Sequence, residues 1–167
     1  MSPGIGSGGK PVPEVKRLLA VVHSRAGTTK QLCDAAIRGA REATGSSVEL
    51  VQLDAFEAGP EDVLLSSAIL IATPARFGYM SGACKDFLER IYHPCLERTG
   101  GLPYCLLVKG DTDVDGAVQS VQKIVTGMRW RLVLPPMKVV GELSPQALGD
   151  AEELGATLAA GIETGIF

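Results

Sequence analysis

The stretch AVVHSRAGTTKQLCDAA, residues 20–36, joins a short apolar run to a segment with helical spacing. Its first residues are typical of the end of a buried strand, and Leu32 and Ala36 fall on one face of a helix. The turn between them carries Gly27 among hydroxyl side chains. This stretch therefore predicts a strand, a tight turn and a helix, with the helix N-terminus facing whatever lies beyond the turn.

The same alternation continues along the chain. Amphipathic stripes separate runs that are rich in Leu or β-branched residues and typical of strands. These runs are residues 18–22, 48–53, 68–72, 104–108 and 130–140, the last interrupted by Pro135 and Pro136. Because parallel strands need crossover connections, the order predicts one α/β domain over residues 15–167, with a five-stranded parallel sheet covered by helices on both faces.

Composition excludes several classes of function. A net charge of −3 and a pI near 5.4 argue against a nucleic-acid surface, which requires clustered Lys and Arg. The four cysteines form no CxxC pair, so reduced thiols and a cytoplasmic location are expected. No apolar run approaches the roughly 18 residues that a membrane span needs. We expect a protein without nucleic-acid partners or membrane spans.

The first 14 residues are rich in Gly, Pro and Ser, which predicts a disordered leader over residues 1–14. Gly4, Gly6 and Gly9 have the spacing of a dinucleotide-binding motif. That motif requires a strand before it and a helix after it, and neither pattern is present. We therefore assign these glycines to the leader.

In a doubly wound sheet, ligands bind beyond the carboxyl ends of the strands, so the loops after the first, third and fourth strands are the candidate site. In the first loop, a helix N-terminus with Gly27 and hydroxyl side chains suits a phosphate monoester. The alternative is that Thr28 or Thr29 only caps the helix. His23 could donate a hydrogen bond to the same phosphate or be a structural histidine.

The second loop, TPARFGYMSG at residues 73–82, carries the most specific motif. With the following K-x-F-L, it resembles the isoalloxazine-binding loop of flavodoxin-like NAD(P)H:quinone oxidoreductases of the tryptophan-repressor-binding-protein type. The first loop, HSRAGTT, is similar to the flavodoxin phosphate loop but departs from it at Ala26. The third loop, VKGDTDVDGAV at residues 108–118, resembles the third flavodoxin loop only weakly.

The resemblance implies the flavodoxin-like strand order 2-1-3-4-5 and noncovalent binding of FMN. Backbone amides of residues 75–78 would bind the pyrimidine ring and the N5 edge, and Arg76 would offset negative charge on the reduced flavin. Phe77 and Tyr79 would pack near the ring. The residues matched to the cofactor are Ser24, Arg25, Ala26, Gly27, Thr28, Thr29, Pro74, Ala75, Arg76, Phe77, Gly78, Tyr79, Lys109, Gly110 and Asp111.

Alternatives remain open at individual positions. Arg76 and Tyr79 could be solvated loop residues, and Phe77 could be buried under its loop. The aspartates of the third loop could suggest a divalent cation, but Asp113 as a helix cap with solvated neighbours is the preferred interpretation, and no metal is expected. The third loop has no aromatic residue to cover a flavin face.

The resemblance favours an NAD(P)H-dependent oxidoreductase that reduces a quinone or similar acceptor, with catalytic residues not identified. One alternative is a flavodoxin-type electron-transfer carrier, and another is a non-catalytic flavodoxin-fold module. The expected partners are a small-molecule electron acceptor or a redox partner protein, and the chain could form a homo-oligomer. Long insertions that help such reductases form tetramers are missing from this sequence.

Overall fold

The computed structural model describes residues 15–167, and the leader expected over residues 1–14 lies outside the described residues. The strands are β1 (Lys16–Val22), β2 (Val48–Asp54), β3 (Ala68–Arg76), β4 (Tyr79–Met80), β5 (Pro103–Gly110), β6 (Arg131–Leu132) and β7 (Met137–Val140). The helices are α1 (Thr28–Thr44), α2 (Pro60–Leu64), α3 (Gly82–Cys95), α4 (Asp115–Gly127) and α5 (Pro145–Thr164).

The sheet has the order β2-β1-β3-β5, with β6 and β7 both paired to the outer edge of β5. All pairings are parallel except the one between β3 and β4. Because β6 and β7 together occupy the last position, the expected order of the doubly wound sheet is confirmed. The fold is a three-layer α/β fold, as the alternating pattern predicts.

The expected number of strands is wrong, since the sheet has seven strands and not five. The last predicted strand is divided at Pro135 and Pro136, so that β6 pairs with the start of β5 and β7 with its end. Proline lacks the N–H group that a continuous ladder needs. The other additional strand is β4, which folds back on the end of β3.

Residues of β1 alternate between the two faces of the sheet, as a strand period of two requires. Leu19 and Val21 belong to the apolar layer under α3 and α4, whereas Leu18 and Ala20 belong to the layer under α1 and α5. All four side chains are buried. Burial of both faces explains why the strand lacks the polar alternation of a half-exposed sheet.

Helices α1 and α5 cross in direct backbone contact. A methyl group built at Gly155 would lie 1.8 Å from the carbonyl oxygen of Ala36, and one at Gly39 would lie 2.0 Å from that of Glu152. No side chain fits at either position. At the rim of this contact, Arg38 forms an ion pair with Glu152 at 2.7 Å.

The four cysteines are free and buried. Burial raises the pKa of Cys33, Cys84 and Cys105 to about 12. These thiols therefore remain protonated and behave as small apolar side chains. Among residues 15–167, no helix is both long and apolar enough to cross a bilayer.

Candidate functional site

The first loop connects β1 to α1 through a glycine in the left-handed conformation. Gly27 has φ 85° and is the N-cap of α1, and its N–H donates to Ser24 Oγ at 3.0 Å. The first helical hydrogen bond runs from Gln31 N–H to the Gly27 carbonyl, so the three amides before Gln31 precede the helical ladder. No side chain caps this helix, so the interpretation of Thr28 or Thr29 as the cap is wrong.

The second loop forms a β-hairpin between β3 and β4. Ala75 pairs with Met80 and Arg76 with Tyr79, so Phe77 and Gly78 make a two-residue turn. Both turn residues have positive φ, 52° at Phe77 and 69° at Gly78, as a type I′ turn requires. A bulky side chain rarely adopts this conformation, so the backbone at Phe77 is strained.

The aromatic side chains of this hairpin point outward. Phe77 has a relative exposure of 108% and Tyr79 of 43%. The interpretation of Phe77 as buried under its loop is therefore wrong. A fully exposed Phe in a strained turn gains nothing from burial in the core.

Contacts from β3 and α4 hold the hairpin in place. Met80 N–H donates to Ser120 Oγ at 3.1 Å, and Ser81 N–H donates to Thr73 Oγ1 at 3.0 Å. A methyl group built on Gly116 would lie 2.0 Å from the Gly78 carbonyl oxygen. Helix α4 thus supports the turn from below without filling the space in front of it.

The third loop approaches the second at Gly110, where a built methyl group would lie 3.0 Å from Ala75 Cβ. Lys109 Nζ forms an ion pair with Asp111 at 3.1 Å. The Asp113 carboxylate accepts the Asp115 N–H at 2.9 Å, although the N-cap of α4 is Val114. In the described part of the chain, no group of three or more His, Cys, Asp or Glu side chains is placed to hold a metal ion.

A small cavity of about 60 Å³ lies where the three loops meet. It brings together ten of the predicted site residues. They are Ser24, Ala26, Thr28, Thr29, Pro74, Ala75, Arg76, Lys109, Gly110 and Asp111. Gly27 and Gly78 shape the turns beside it and are not among the residues that line it.

A larger cleft of about 700 Å³ shares Pro74 and Arg76 with the small cavity. The hairpin and α3 line one side of it. Its other predicted residues are Arg25, Phe77 and Tyr79. The cleft also contains Met80, Ser81 and Gly82 from the end of the second loop, which were not among the matched cofactor residues. His23, Phe56 and Ala83 line it as well, and the sequence did not predict that they would.

His23 and Phe56 form the far wall of the cleft. His23 Nδ1 lies 2.9 Å from Asp54 Oδ2, and the His23 ring meets the Phe56 ring edge to face at 5.0 Å. Phe56 has a relative exposure of 57%. Phe56 follows β2, which lies beside β1, and that position is its signal in the sequence. It was missed because the candidate loops were those after three other strands.

The Asp54 carboxylate is held by two donors. Phe56 N–H donates to Oδ1 at 2.8 Å, and His23 contacts Oδ2. Partial burial of the carboxyl opposes its ionisation, but these hydrogen bonds outweigh burial and keep the pKa of Asp54 below its ordinary value. An ionised Asp54 favours the His23 tautomer with the proton on Nδ1.

Comparison with known proteins agrees with this architecture. No family model matches the chain. The chain is 30% identical over 94 residues to an NAD(P)H dehydrogenase (quinone) of Acidithiobacillus ferrooxidans, a match covering 46% of this chain and 47% of that protein. It is 31% identical over 75 residues to a flavodoxin of Aquifex aeolicus, covering 45% and 40%. The matched segments thus span less than half of either relative.

Two flavodoxin structures match over nearly their whole length. An archaeal flavodoxin has a TM-score of 0.77 at 13% identity, covering 88% of this chain and 99% of that one. A WrbA-like flavodoxin from Agrobacterium tumefaciens has a TM-score of 0.73 at 19% identity, covering 89% and 98%. The chain has the flavodoxin-like fold. The partial sequence matches support the resemblance to flavodoxin-like proteins, including the NAD(P)H:quinone oxidoreductase type.

Proposed function

We propose that this protein binds FMN noncovalently and is an NAD(P)H-dependent oxidoreductase that reduces a quinone or a similar acceptor. The observation that carries the proposal is the junction of the two cavities. A small polar cavity at the N-terminus of α1 opens beside a large cleft with aromatic walls, and the two share Pro74 and Arg76. FMN has the matching parts, a phosphate at one end and a flat ring at the other.

The small cavity fits a phosphate group. Its volume of about 60 Å³ excludes a ring system, and it is lined by Ser24 and by the first residues of α1. A helix N-terminus with free amides favours an anion. Asp111 also lines the cavity, but its carboxylate is paired with Lys109, which offsets the negative charge.

The large cleft fits the ring. Phe56, Phe77 and Tyr79 offer exposed aromatic surface around a volume of about 700 Å³. An aromatic ligand would cover these side chains and supply the contacts that they lack in the ligand-free protein. The backbone of residues 75–78 would lie at the polar edge of the ring, as the resemblance implies.

When bound, FMN supplies the redox chemistry, and the protein binds, orients and shields it. Arg76 would offset negative charge on the reduced cofactor. The third loop has no aromatic residue from Val108 to Val118. One face of the ring would therefore remain accessible to a nicotinamide or an acceptor.

The first test compares FMN with riboflavin, which lacks the phosphate. Hydrogen bonds to a charged group contribute about 1.5–3 kcal/mol each, so two of them would separate the affinities by more than an order of magnitude. Fluorescence titration of the ligand-free protein measures both dissociation constants. Equal affinities would rule out the small cavity as the phosphate site, and absence of FMN binding would favour the non-catalytic module.

A second test separates the reductase from the electron-transfer carrier, which the structural match to flavodoxins over their whole length favours. The FMN-loaded protein is mixed anaerobically with NADH or NADPH, and the flavin absorbance is followed. We expect rapid bleaching by at least one nucleotide and reoxidation by quinone. If neither nucleotide reduces the flavin, and dithionite reduces it in two one-electron steps, the protein is an electron-transfer carrier.

The acceptor and the assembly state belong to the same proposal. The exposed aromatic rim favours a planar small-molecule acceptor over a partner protein, since a small ring can enter the cleft between Phe56 and Phe77. A homo-oligomer stays a prediction, and size-exclusion chromatography with light scattering measures it.

A further inference from the structure

We infer that His23, positioned by Asp54, donates the proton to the acceptor that is reduced in the large cleft. This inference rests on the proposed function, since it assigns a residue to the second half-reaction, the reduction of the acceptor. From the sequence, His23 was a possible hydrogen-bond donor to the phosphate. The structure instead places His23 in the wall of the large cleft and not among the residues that line the small cavity.

The two ring nitrogens of His23 have different surroundings. Nδ1 is occupied by Asp54 Oδ2 at 2.9 Å. Nε2 has no hydrogen-bond partner among the described residues, and within residues 15–167 no buried side-chain nitrogen or oxygen lacks a partner. Nε2 is therefore accessible from outside, in a ring that lines the cleft. This is the arrangement of an imidazole that is oriented at one nitrogen and reactive at the other.

Neighbouring groups keep the ring in place. Phe56 packs edge to face against it at 5.0 Å, and the Phe56 amide anchors the other oxygen of Asp54 at 2.8 Å. One residue of the loop after β2 thus fixes both members of the pair. These contacts orient the ring, and the hydrogen bond to Asp54 uses Nδ1 and leaves Nε2 without a hydrogen-bond partner among the described residues.

Besides Asp54, the charged groups around His23 come from its own loop, from the hairpin and from α1. Arg25 of the first loop and Arg76 of the hairpin line the large cleft. Lys30 and Asp34 of α1 line the adjacent cavity of about 410 Å³ that His23 also borders. Because these two pair with each other at 3.0 Å, Asp54 is the carboxylate that acts on the imidazole directly.

The reaction balances with a single proton from this residue. A quinone that becomes a hydroquinone takes up two electrons and two protons. NAD(P)H, oxidised to NAD(P)+, would supply through a bound flavin the equivalent of a hydride, which brings both electrons and one proton and would form one O–H bond. The imidazolium of His23 breaks its Nε2–H bond and protonates the other oxygen, and the neutral imidazole regains a proton from solvent.

Imidazole suits this task better than the other side chains of the cleft. Arginine does not release its proton in proteins, which excludes Arg25 and Arg76. Imidazole gives and takes up protons near neutral pH. The Tyr79 hydroxyl is the competing donor, since Tyr79 lines the same cleft.

The test uses the FMN-loaded protein and two acceptors, a benzoquinone and ferricyanide, which takes electrons without protons. His23→Asn keeps an amide at the position of Nδ1 and removes Nε2. We expect reoxidation by quinone to slow by about 100-fold, within the range for a general acid. Reoxidation by ferricyanide and the dissociation constant of FMN should change less than about threefold.

Asp54→Asn tests the positioning role. An amide retains an oxygen for Phe56 N–H but presents an NH₂ to His23, which moves the ring proton to Nε2. We expect quinone reoxidation to slow by about tenfold and ferricyanide reoxidation to stay unchanged. Nitrogen NMR of the ligand-free protein should show the Nδ1–H tautomer in the wild type and the Nε2–H tautomer in this variant.

Three outcomes overturn the inference. Equal slowing with both acceptors in His23→Asn would make His23 a structural or flavin-binding residue. A selective loss with quinone in Tyr79→Phe, and none in His23→Asn, would assign the proton to Tyr79. An Nε2–H tautomer in the wild type would show that Asp54 does not position the ring.

A wild-type protein that fails to bind FMN or to reduce quinone contradicts the proposed function itself, and this inference is then wrong as well.

Discussion

The crossing of α1 and α5 differs from the hairpin between β3 and β4 in how well the residue types fit their positions. At the crossing, Gly39 and Gly155 remove side chains so that two backbones meet, and the space is full. At the hairpin, Phe77 occupies a conformation suited to glycine and extends into solvent. At the crossing, the glycines allow close packing that stabilises the fold. At the hairpin, the strained backbone of Phe77 lowers the stability of the fold. The difference agrees with the proposal that the ligand site lies at the carboxyl edge of the sheet and not at the helix pair.

The largest effect is expected where the crossing is broken. Gly155→Ala would place a methyl group 1.8 Å from the Ala36 carbonyl oxygen, so α1 and α5 must separate. We expect a loss of about 3 kcal/mol in the free energy of unfolding. Overpacking costs about 1–3 kcal/mol, and the upper value applies because the clashing atom belongs to the backbone, which cannot move aside as a side chain can. Urea denaturation followed by circular dichroism measures this loss.

The matched control lies on the same helix. Gly149 has nothing within 4 Å of a built methyl group. Gly149→Ala should leave the protein unchanged or stabilise it by up to about 1 kcal/mol, because alanine favours a helix more than glycine does. Similar losses in the two variants would mean that helix propensity, and not the close contact, governs this region.

The next prediction compares substitutions at the two ends of α1, beginning with the end that faces the proposed phosphate site. Gly27→Val should raise the dissociation constant of FMN by about 100-fold, because valine resists the φ of 85° on which the turn depends. Nothing lies within 4 Å of a methyl group built at Gly27, so the ligand-free domain should still fold. Fluorescence titration and a denaturation curve test the two parts.

Gly45 is the control for this variant. It ends α1 with φ 58° and also has open space where a side chain would go. Gly45→Val introduces comparable backbone strain at the end of α1 away from the loops. It should lower stability by about 1–2 kcal/mol and leave FMN affinity within about twofold. Equal loss of affinity in both variants would place the phosphate site elsewhere.

The fold follows from local patterns to a large extent. Runs of buried Leu and Val separated by amphipathic stripes determine a parallel sheet, and β1 shows why, since both of its faces are covered. The exact strand count does not follow. Pro135 and Pro136 were visible as an interruption, but whether the chain resumes pairing beyond them depends on β5, a partner far away in the sequence.

The position of the small cavity was predictable, since it depends on local geometry. Glycine and hydroxyl residues before a helix predict an anion site, and the small cavity lies at that helix, although an anion there stays a prediction. The contacts of His23 and Phe56 were not predictable, because they join the ends of β1 and β2 through tertiary structure. The exposure of Phe77 also depends on α4, whose Gly116 supports the turn.

A smaller effect is expected at the hairpin itself. Phe77→Asn should stabilise the ligand-free protein by about 0.5–1 kcal/mol, because asparagine tolerates the left-handed conformation that strains phenylalanine. The same variant should bind FMN about tenfold more weakly, since the exposed ring no longer covers the cofactor. Thermal unfolding with and without FMN measures both changes. A loss of stability without FMN would show that Phe77 serves the fold.

The smallest effect concerns acid stability on the far wall of the cleft. The hydrogen bonds from His23 and Phe56 keep the pKa of Asp54 below its ordinary value despite partial burial. A carboxyl whose pKa is lower in the folded state stabilises the fold above its unfolded pKa, about 3.9, and this contribution disappears as the pH falls through the lower folded value. Because the Asp54 side chain is 39% exposed, screening by solvent keeps the contribution below about 1 kcal/mol.

Asp54→Asn should therefore flatten the acid limb of the stability profile below about pH 4 and leave the difference from wild type constant between pH 5 and 6. Urea midpoints measured from pH 3 to pH 6 test this, and parallel acid limbs in the two proteins would show that Asp54 ionises equally in the folded and unfolded states.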